Sequence, residues 1–286
     1  MPSKLSNYNI GVPDGIGIPA KYQTHSITQF TATIANHSAR AAMAGRGAVA
    51  NVNIPGVAGK IYTLCGVEIT VKSTLTTVVN TGGLFEVSND AIDWIPFQFL
   101  TNTSEVLGAA GGVSQSPCFY ECKKPLPAGS NITVYYTSLN AATDWASVTL
   151  FYSTKPYDGG AQTFQIAAYG SARTSVATFP ADITLNIPAN KGGNLVGFYV
   201  QQYGVIVTIL STGGLMAWHN TAANVAYEPT EMVCGSITCI ASGGGELPLT
   251  KVDFAGDCPG NSQFTCDTTT ISTNSQVFGA VVVWEA

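Results

Sequence analysis

Three short motifs occur twice in this chain, in the same order and at nearly constant separation. Asn53-Ile54-Pro55 returns as Asn186-Ile187-Pro188 (186 − 53 = 133), and Thr81-Gly82-Gly83-Leu84 returns as Thr212-Gly213-Gly214-Leu215 (212 − 81 = 131). Residues 145–151 match residues 278–284 at a similar offset (278 − 145 = 133). Because self-similarity at fixed spacing identifies a repeated architecture, we predict two copies of one unit of about 130 residues.

The stretches that follow the Ile-Pro motifs have the composition of β-strands. Residues 61–71 in the first copy, and residues 195–200 and 205–210 in the second, are rich in β-branched and aromatic side chains and are bounded by Gly, Asn and Pro. Val67, Ile69 and Val71 alternate with polar residues, as in a half-buried strand. Residues 131–136 and 147–152 predict two more strands, which we interpret as a hairpin at the end of the first copy.

The composition changes sharply after residue 152. Residues 153–160 contain Pro and paired Gly, and strand signals restart at Thr163. We therefore predict a first domain at 20–154, a linker at 155–162 and a second domain at 163–286. Helices are expected to be few and short: residues 36–50 are Ala-rich and could hold a turn or two, although Gly45 and Gly47 weaken that stretch.

Charge is scarce in this chain. Only 10% of the 286 residues are charged, where a typical globular domain has about 25%. The net charge of −5 argues against a protein that neutralises phosphates, so no sequence-specific nucleic-acid binding is expected. Neutral hydrogen-bonding surfaces keep their contacts when carboxylates become protonated, which favours an acidic habitat.

The longest apolar runs are short, and the N-terminus has no secretory pattern. Residues 278–284 form a run of seven, too short to span a bilayer. Residues 1–6 lead into Gly, Pro and Asn without the apolar core of a signal peptide, so synthesis without export through the secretory route is expected.

Seven cysteines cannot all pair within one chain. Their spacing suggests local disulfides but does not fix the connectivity, and buried reduced thiols are the alternative. No C-x2-C zinc knuckle occurs, so no metal site is expected. The candidate disulfide residues are Cys118, Cys122, Cys234, Cys239, Cys258 and Cys266.

Two β units of this size, each with about eight strand candidates and a late hairpin, suggest two sandwiches. The tandem resembles the double jelly-roll major capsid proteins of tailless icosahedral double-stranded DNA viruses. Its low-charge composition, rich in Ser, Thr and Gly and with scattered Cys, is most similar to those of archaeal viruses from hot acidic water. The resemblance covers residues 20–286. The predicted fold is therefore all-β, with two tandem eight-stranded jelly-roll sandwiches.

The resemblance implies a structural protein without catalytic residues, cofactor or metal. Three chains would form a pseudo-hexagonal homotrimeric capsomer that contacts neighbouring capsomers in an icosahedral shell. The protein would be made in the host cytoplasm and located in the virion.

Residues 1–19 carry apolar side chains separated by Gly and Pro, a pattern that forms neither a helix nor a central strand. We interpret them as an extended arm whose Ile10, Val12, Ile16 and Ile18 contact a neighbouring subunit, a minor capsid protein or an internal membrane. A disordered tail is the alternative.

Exposed aromatic residues would indicate a different role. Trp94 and Trp218 follow the Thr-Gly-Gly motifs, are expected to lie in loops and are candidates for surface contact, whereas Trp145 and Trp284 lie within predicted strands and are expected to pack. The alternative function is accordingly a virion vertex, spike or cell-surface β-sandwich that binds glycans or a receptor. His219, beside Trp218, could line such a groove.

A third alternative is a secreted hydrolase. No nucleophile motif accompanies His25, His37 or His219. Glu86, Asp90 and Asp93 near Trp94 form the best local acidic cluster.

Two kinds of surface site are weakly indicated. Residues 88–90 and 253–257 carry Asn and Asp that come close to a calcium loop. Glycosylation motifs begin at Asn36, Asn102 and Asn131, and Asn102, in a stretch at 101–116 predicted to be an exposed loop, is the preferred candidate.

Overall fold

The computed structural model describes residues 23–33, 47–73, 80–81, 83–89, 91, 98–100, 103–105, 118–138, 143–170, 181–204, 214–220, 230–234, 245–247, 249–270 and 276–286. Within these ranges the regular elements are strands, and no helix occurs. The all-β prediction is confirmed.

In the described part of the chain, ten strands precede the linker at 155–162, and we call this part the first half. They are β1 Gln23–Thr33, β2 Gly47–Asn53, β3 Ile61–Ser73, β4 Asn80–Thr81, β5 Gly83–Asn89, β6 Gln98–Leu100, β7 Thr103–Glu105, β8 Cys118–Pro127, β9 Asn131–Ser138 and β10 Thr143–Ser153.

Nine described strands follow the linker and form the second half. They are β11 Thr163–Tyr169, β12 Ala181–Asn186, β13 Gly193–Gly204, β14 Gly214–Asn220, β15 Thr230–Cys234, β16 Gly245–Leu247, β17 Thr250–Cys258, β18 Gln263–Thr270 and β19 Gln276–Glu285.

In the first half, early strands pair with late ones. β1 pairs with β10, β2 with β9, β3 with β8 and β5 with β6, all antiparallel. The two resulting sheets have the orders β1-β10-β3-β8 and β2-β9-β5-β6. This nested winding is the strand order of an eight-stranded jelly roll, in which two Greek keys build two facing sheets.

The second half repeats this order strand for strand. Its sheets are β11-β19-β13-β17 and β12-β18-β14-β15. A small sheet with the order β16-β7-β4 joins the two halves, because β16 of the second half pairs with β7 of the first.

Each half has its own core. Inward-facing Val67, Ile69, Val148 and Leu150 belong to the first cluster, which confirms the period-two reading of β3. Phe198, Trp218 and Trp284 are among the members of the second.

The same irregularity interrupts the third strand of both halves. In the first half Leu64 pairs with Lys124 and Gly66 with Glu121, so that Cys65 lies opposite two residues of β8. In the second half Leu195 pairs with Gly256 and Gly197 with Asp253, around Val196. A β-bulge of this kind places two residues opposite one, and its recurrence gives a structural alignment of the two halves.

That alignment corrects the predicted match of the last strands by one residue. Leu64 also pairs with Tyr152, and Leu195 pairs with Trp284, so Trp284 corresponds to Tyr152 and not to Phe151. The correction changes the assignment of faces, because neighbouring residues of a strand point to opposite sides.

Three other sequence predictions are corrected. β9 and β10 do not form a hairpin: they lie in different sheets, because each pairs with an early strand of its half. The end of the predicted helical stretch 36–50 lies in β2, and the predicted loop 101–116 contains β7. Residues 34–46 and 106–116 lie outside the described ranges.

The turn between β8 and β9 is tied to the first Ile-Pro motif. The Ile54 amide donates to the Ser130 carbonyl (2.9 Å), and the Gly129 amide donates to the Ile54 carbonyl (2.7 Å). The Ser130 amide donates to the Pro127 carbonyl (3.3 Å), and Asn89 Nδ2 donates to Ser130 Oγ (2.9 Å). We call this arrangement the closing turn.

The turn between β17 and β18 has the same bonds around the second Ile-Pro motif. The Ile187 amide donates to the Ser262 carbonyl (2.8 Å), the Asn261 amide to the Ile187 carbonyl (3.1 Å) and the Ser262 amide to the Pro259 carbonyl (3.3 Å). Asn220 Nδ2 donates to Ser262 Oγ (3.2 Å). The repeated motif is therefore explained by a repeated contact.

Candidate functional site

The two halves meet where the first sandwich would otherwise be open. We define the open edge of a sandwich as the side between the end strands of its two sheets, β6 and β8 in the first half and β15 and β17 in the second. β11 contacts both β6 and β8, and β19 contacts β6. The outer face of the second half's sheet thus closes the open edge of the first half, and we call this contact the junction.

Apolar side chains of the second half complete the core of the first. Five residues on the outer face of the β11-β19-β13-β17 sheet belong to the first core cluster: Ala167, Tyr169, Tyr199, Val281 and Val283. The rings of Tyr120 and Tyr199 lie 5.0 Å apart across the junction. The junction is therefore apolar at its centre.

Hydrogen bonds at the junction hold the two halves in register. The Ala167 amide donates to Gln98 Oε1 (3.2 Å), and the Lys123 amide donates to Thr163 Oγ1 (3.1 Å). Tyr169 donates its hydroxyl to the Gly83 carbonyl at 3.4 Å.

A buried cation also spans the junction. Lys124 is fully buried, and its Nζ lies 4.4 Å from the ring centroid of Phe164 in β11. Because a desolvated ammonium over an aromatic face is stabilised by the ring quadrupole, this contact ties β8 to β11.

A signal for the junction is present in the sequence. Residues 280–284 of β19 are all buried, although their side chains alternate between the two faces of the sheet. A continuous apolar run is typical of a strand covered on both faces. The run at 278–284 therefore indicates that something covers the outer face of its sheet.

Two cavities lie beside the junction. One of about 300 Å³ is lined by residues of β3, β8 and the linker, among them Cys65, Cys122 and Lys155. Another of about 130 Å³ lies between the halves and is lined by Lys123 and Lys251 together with Glu121 and Glu285.

The first cavity has one ion pair at its rim. Lys123 Nζ lies 3.0 Å from Asp158 Oδ2. The pKa of the Asp158 carboxyl is lowered by its backbone hydrogen bond from Gly160 and by Lys123, and the pKa of Lys123 is raised by its hydrogen bond to Asp158. Both side chains are exposed, so the pair contributes little to stability.

A histidine and an aspartate meet on the second half. His219 Nε2 lies 2.8 Å from Asp267 Oδ2, with His219 about two fifths exposed. In the strand register His219 stands opposite Thr265. This pair has the base and the orienting carboxylate of a catalytic triad, and the hydroxyl-bearing residue opposite the histidine in that register is Thr265.

Trp218 does not serve as a surface contact, and this prediction is corrected. It lies within β14 and not in a loop, and it is only 1% exposed. Its ring stacks on Phe198 at 4.2 Å. Trp284 packs as expected: its ring stacks on Phe164, and its Nε1 donates to the Lys191 carbonyl at 2.6 Å.

The acidic residues singled out from the sequence have structural partners. Glu86 is buried and accepts a hydrogen bond from Gln98 Nε2 at 3.0 Å. Asn89, proposed for a calcium loop, is used in the closing turn, and Asp253 pairs with Lys251 at 2.6 Å. In the described part of the chain, no three His, Cys, Asp or Glu side chains form a group that could hold a metal ion.

The predicted cysteine sites are only partly covered by the structure. Cys122 and Cys258 are buried reduced thiols, and Cys266 is buried in the second core. Burial raises the pKa of the Cys258 thiol to about 12. The proposed pairings stay predictions.

Several other candidates lie outside the described residues. They are Ile10, Val12, Ile16, Ile18, Asp90, Asp93, Trp94, Asn102 and Cys239. Cys118 lies in β8 and Cys234 in β15, with only their backbone described. Among the described residues, no helix is long and apolar enough to cross a membrane.

No protein-family model matches the chain, and no curated protein matches it. Solved structures with a similar fold include the STIV MCP, with a TM-score of 0.44 and 10% identity over 92% of this chain and 96% of that one. PNGase F, a glycosylasparaginase from Flavobacterium meningosepticum, has a TM-score of 0.43 and 10% identity over 92% of this chain and 96% of that one. PNGF-II has a TM-score of 0.41 and 8% identity, with 94% of this chain and 66% of that one covered. A capsid protein and an enzyme stand among them, so the function has to be argued from this chain's own residues.

Proposed function

We propose that this chain is a viral major capsid protein that assembles as a homotrimer into pseudo-hexagonal capsomers. The observation that carries the proposal is the junction. At the junction the second half contributes the outer face of a sheet, and the first half contributes its open edge. Each half also has the corresponding surface that the junction does not use: an outer face in the first half and an open edge in the second.

The first half has an outer sheet face that corresponds to the face the second half uses at the junction. By the bulge alignment, Val283 corresponds to Phe151 and Val281 to Thr149 on the central strand of the sheet. Phe151 is buried and packs edge-on against Phe119 at 5.5 Å, and Thr149 is half-buried. Phe151 and Phe119 are therefore already covered within the chain, and the half-buried residues that remain on this face are Thr149 and Glu68.

The second half has an open edge that corresponds to the edge of the first half that the junction covers. Tyr120 of the first half corresponds to Val252, and Cys122 to Phe254. Tyr120 and Cys122 are buried, whereas Val252 and Phe254, which pack on the second core, are only half-buried. The difference is the cover that the second half gives to the first.

A second copy would supply the missing cover. If the open edge of one chain's second half docks on the outer face of the next chain's first half, the contact between chains repeats the junction. Such a head-to-tail contact builds a ring when its rotation closes. A ring of three chains then has three junctions within chains and three similar contacts between chains. These six contacts would give the ring the pseudo-hexagonal outline that the resemblance implies.

A structural role fits the chemistry of the described residues. Their aromatic and cationic groups at the junction are used for packing. We further propose that the arm at 1–19 contacts minor capsid proteins or an internal membrane, and that the protein resides in the virion.

Native mass spectrometry tests the assembly. Wild-type protein is expected to be a trimer, whereas Thr149→Arg is expected to be monomeric, because a long charged side chain would stand in the docking face. Thr149 is paired with Glu68, which can accept the new charge, so the variant should keep its fold and its Tm. Val57→Arg, at a position 65% exposed in a turn, is the matched control and should remain trimeric.

Two results would overturn the proposal. One is a wild-type chain that stays monomeric at high concentration. The other is a Thr149→Arg variant that remains trimeric. A monomer that binds a glycan array would support the alternative of a spike or cell-surface protein.

A further inference from the structure

The bulge in the first half brings two cysteines together. Between the pairs Leu64–Lys124 and Gly66–Glu121, Cys65 of β3 stands opposite Cys122 and Lys123 of β8. Residues directly opposite each other in an antiparallel ladder have Cα atoms about 4.5–5.5 Å apart. Disulfides need Cα separations of about 4.4–6.8 Å. The bulge places Cys65 at a position that faces Cys122, and spacings of this order between facing strands are compatible with a disulfide.

The two side chains also share a cavity. Cys65 and Cys122 line the same cavity of about 300 Å³. Cys65 is half-buried, and its Sγ lies 3.4 Å from the Thr63 carbonyl, whereas Cys122 is buried. Burial raises the pKa of the Cys122 thiol, Lys124 lowers it, and the Cys65 thiol raises it again, which places the two thiols within electrostatic reach of each other.

The bulge itself does not require cysteine. The corresponding positions of the second half hold Val196, Phe254 and Ala255, and the backbone irregularity is the same. Sulfur at both facing positions is thus a property of the first half alone.

We propose that Cys65 and Cys122 form a disulfide that clips edge strand β8 to β3 when the chain meets a disulfide oxidant such as oxidised glutathione. The half-exposed Cys65 thiolate attacks one sulfur of the oxidant and releases one glutathione thiolate. The Cys122 thiolate then attacks Cys65 Sγ and releases the second. Two thiols are oxidised to one disulfide, one glutathione disulfide is reduced to two thiols, and the two protons pass to them.

The clip would act on the junction. β8 carries Tyr120, which packs on Tyr199, and Lys124, which lies over Phe164. A bond to β3 would fix this strand and would also close a long loop in the unfolded chain, which stabilises the folded state. We expect the Tm to rise by several degrees on oxidation.

Peptide mapping tests the pairing on the full chain. The protein is incubated with increasing oxidised glutathione, denatured in alkylating reagent without reductant, and cleaved after glutamate. Cleavage after Glu68, Glu105 and Glu121 places Cys65, Cys118 and Cys122 on three different fragments. The expected result is a fragment containing Cys65 linked to the one beginning at Cys122, with a yield that saturates with oxidant.

Variants separate this pair from the other thiols. Cys65→Ser should lose both the link and the rise in Tm, and Cys258→Ser, which removes a buried thiol elsewhere, should keep both. Cys65 is half-buried, so its variant should fold even where Cys122→Ser does not. A link from Cys122 to Cys118, or full alkylation of Cys65 and Cys122 at saturating oxidant, would overturn the proposal. Neither result depends on whether the chain forms a trimer.

Discussion

The two halves share their backbone features and differ in what covers them. Both have the same strand order, the same bulge in the third strand and the same closing turn. The open edge of the first half is covered by the second half, whereas Val252 and Phe254 at the open edge of the second half are only half-buried. The contacts that define the fold are thus the same in both halves, whereas the surfaces differ.

The closing turn gives the strongest test of this equivalence. Asn89→Ala and Asn220→Ala each remove the amide that donates to a buried serine hydroxyl, and each should cost about 1–3 kcal/mol in the free energy of unfolding. Urea denaturation of the two variants measures both costs. Asn53→Ala, which removes an exposed amide contact with Asn131, is the control and should change stability by less than about 0.5 kcal/mol. A large cost in one half and none in the other would show that the turns are not equivalent.

An exchange of residues within the same turn sharpens the comparison. Gly129 has φ +78° and Asn261 has φ +61°, so both halves place a left-handed residue at the same position. Asn tolerates this conformation, and a Cβ on Gly129 would meet nothing within 4 Å. Gly129→Asn and Asn261→Gly should therefore be nearly neutral. Gly129→Val and Asn261→Val should each cost about 1–2 kcal/mol, because a β-branched residue resists a positive φ.

Thermal unfolding of the four variants compares these costs. Equal costs for Gly129→Val and Gly129→Asn would contradict the argument that tolerance of the left-handed backbone angle sets the preference at this position.

The repeat could be predicted because its motifs make structural contacts. Asn53-Ile54-Pro55 and its second copy meet the closing turns, whose Pro127 and Ser130 correspond to Pro259 and Ser262. That Pro-x-x-Ser spacing is itself present in the sequence, but it is too short to stand out before the hydrogen bonds are seen.

The details that could not be predicted depend on contacts between distant segments. The prediction of a late hairpin was wrong because strand propensity does not determine which sheet a strand joins. β9 and β10 join different sheets. The match of the last strands was wrong by one residue because the offset between the halves is not constant: it is 187 − 54 = 133 at the Ile-Pro motifs and 284 − 152 = 132 at the last strands. Trp218 was misplaced because its burial depends on Phe198 of another strand.

The smallest expected effect concerns the outer face of the first half. Glu68 of β3 lies on this face opposite Phe119, and the corresponding residue of the second half is Tyr199 in the junction. Burial raises the pKa of the Glu68 carboxyl, so the folded state favours the protonated form. Stability from this group is fully present below the unfolded pKa, about 4.3, and falls as the pH rises above it.

Glu68→Gln, which cannot ionise, should therefore raise the Tm slightly at pH 7 and leave it unchanged at pH 3. Glu121→Gln, an exposed neighbour on β8, is the control and should show no such pH-dependent gain. A gain from Glu68→Gln at pH 3 that disappears at pH 7 would contradict the assigned direction of the pKa shift. Docking of a second copy on this face would bury Glu68 further, so the gain at pH 7 should be larger at concentrations where the chain is oligomeric than after dilution to the monomer. That difference distinguishes a face that another chain covers from one that remains in solvent.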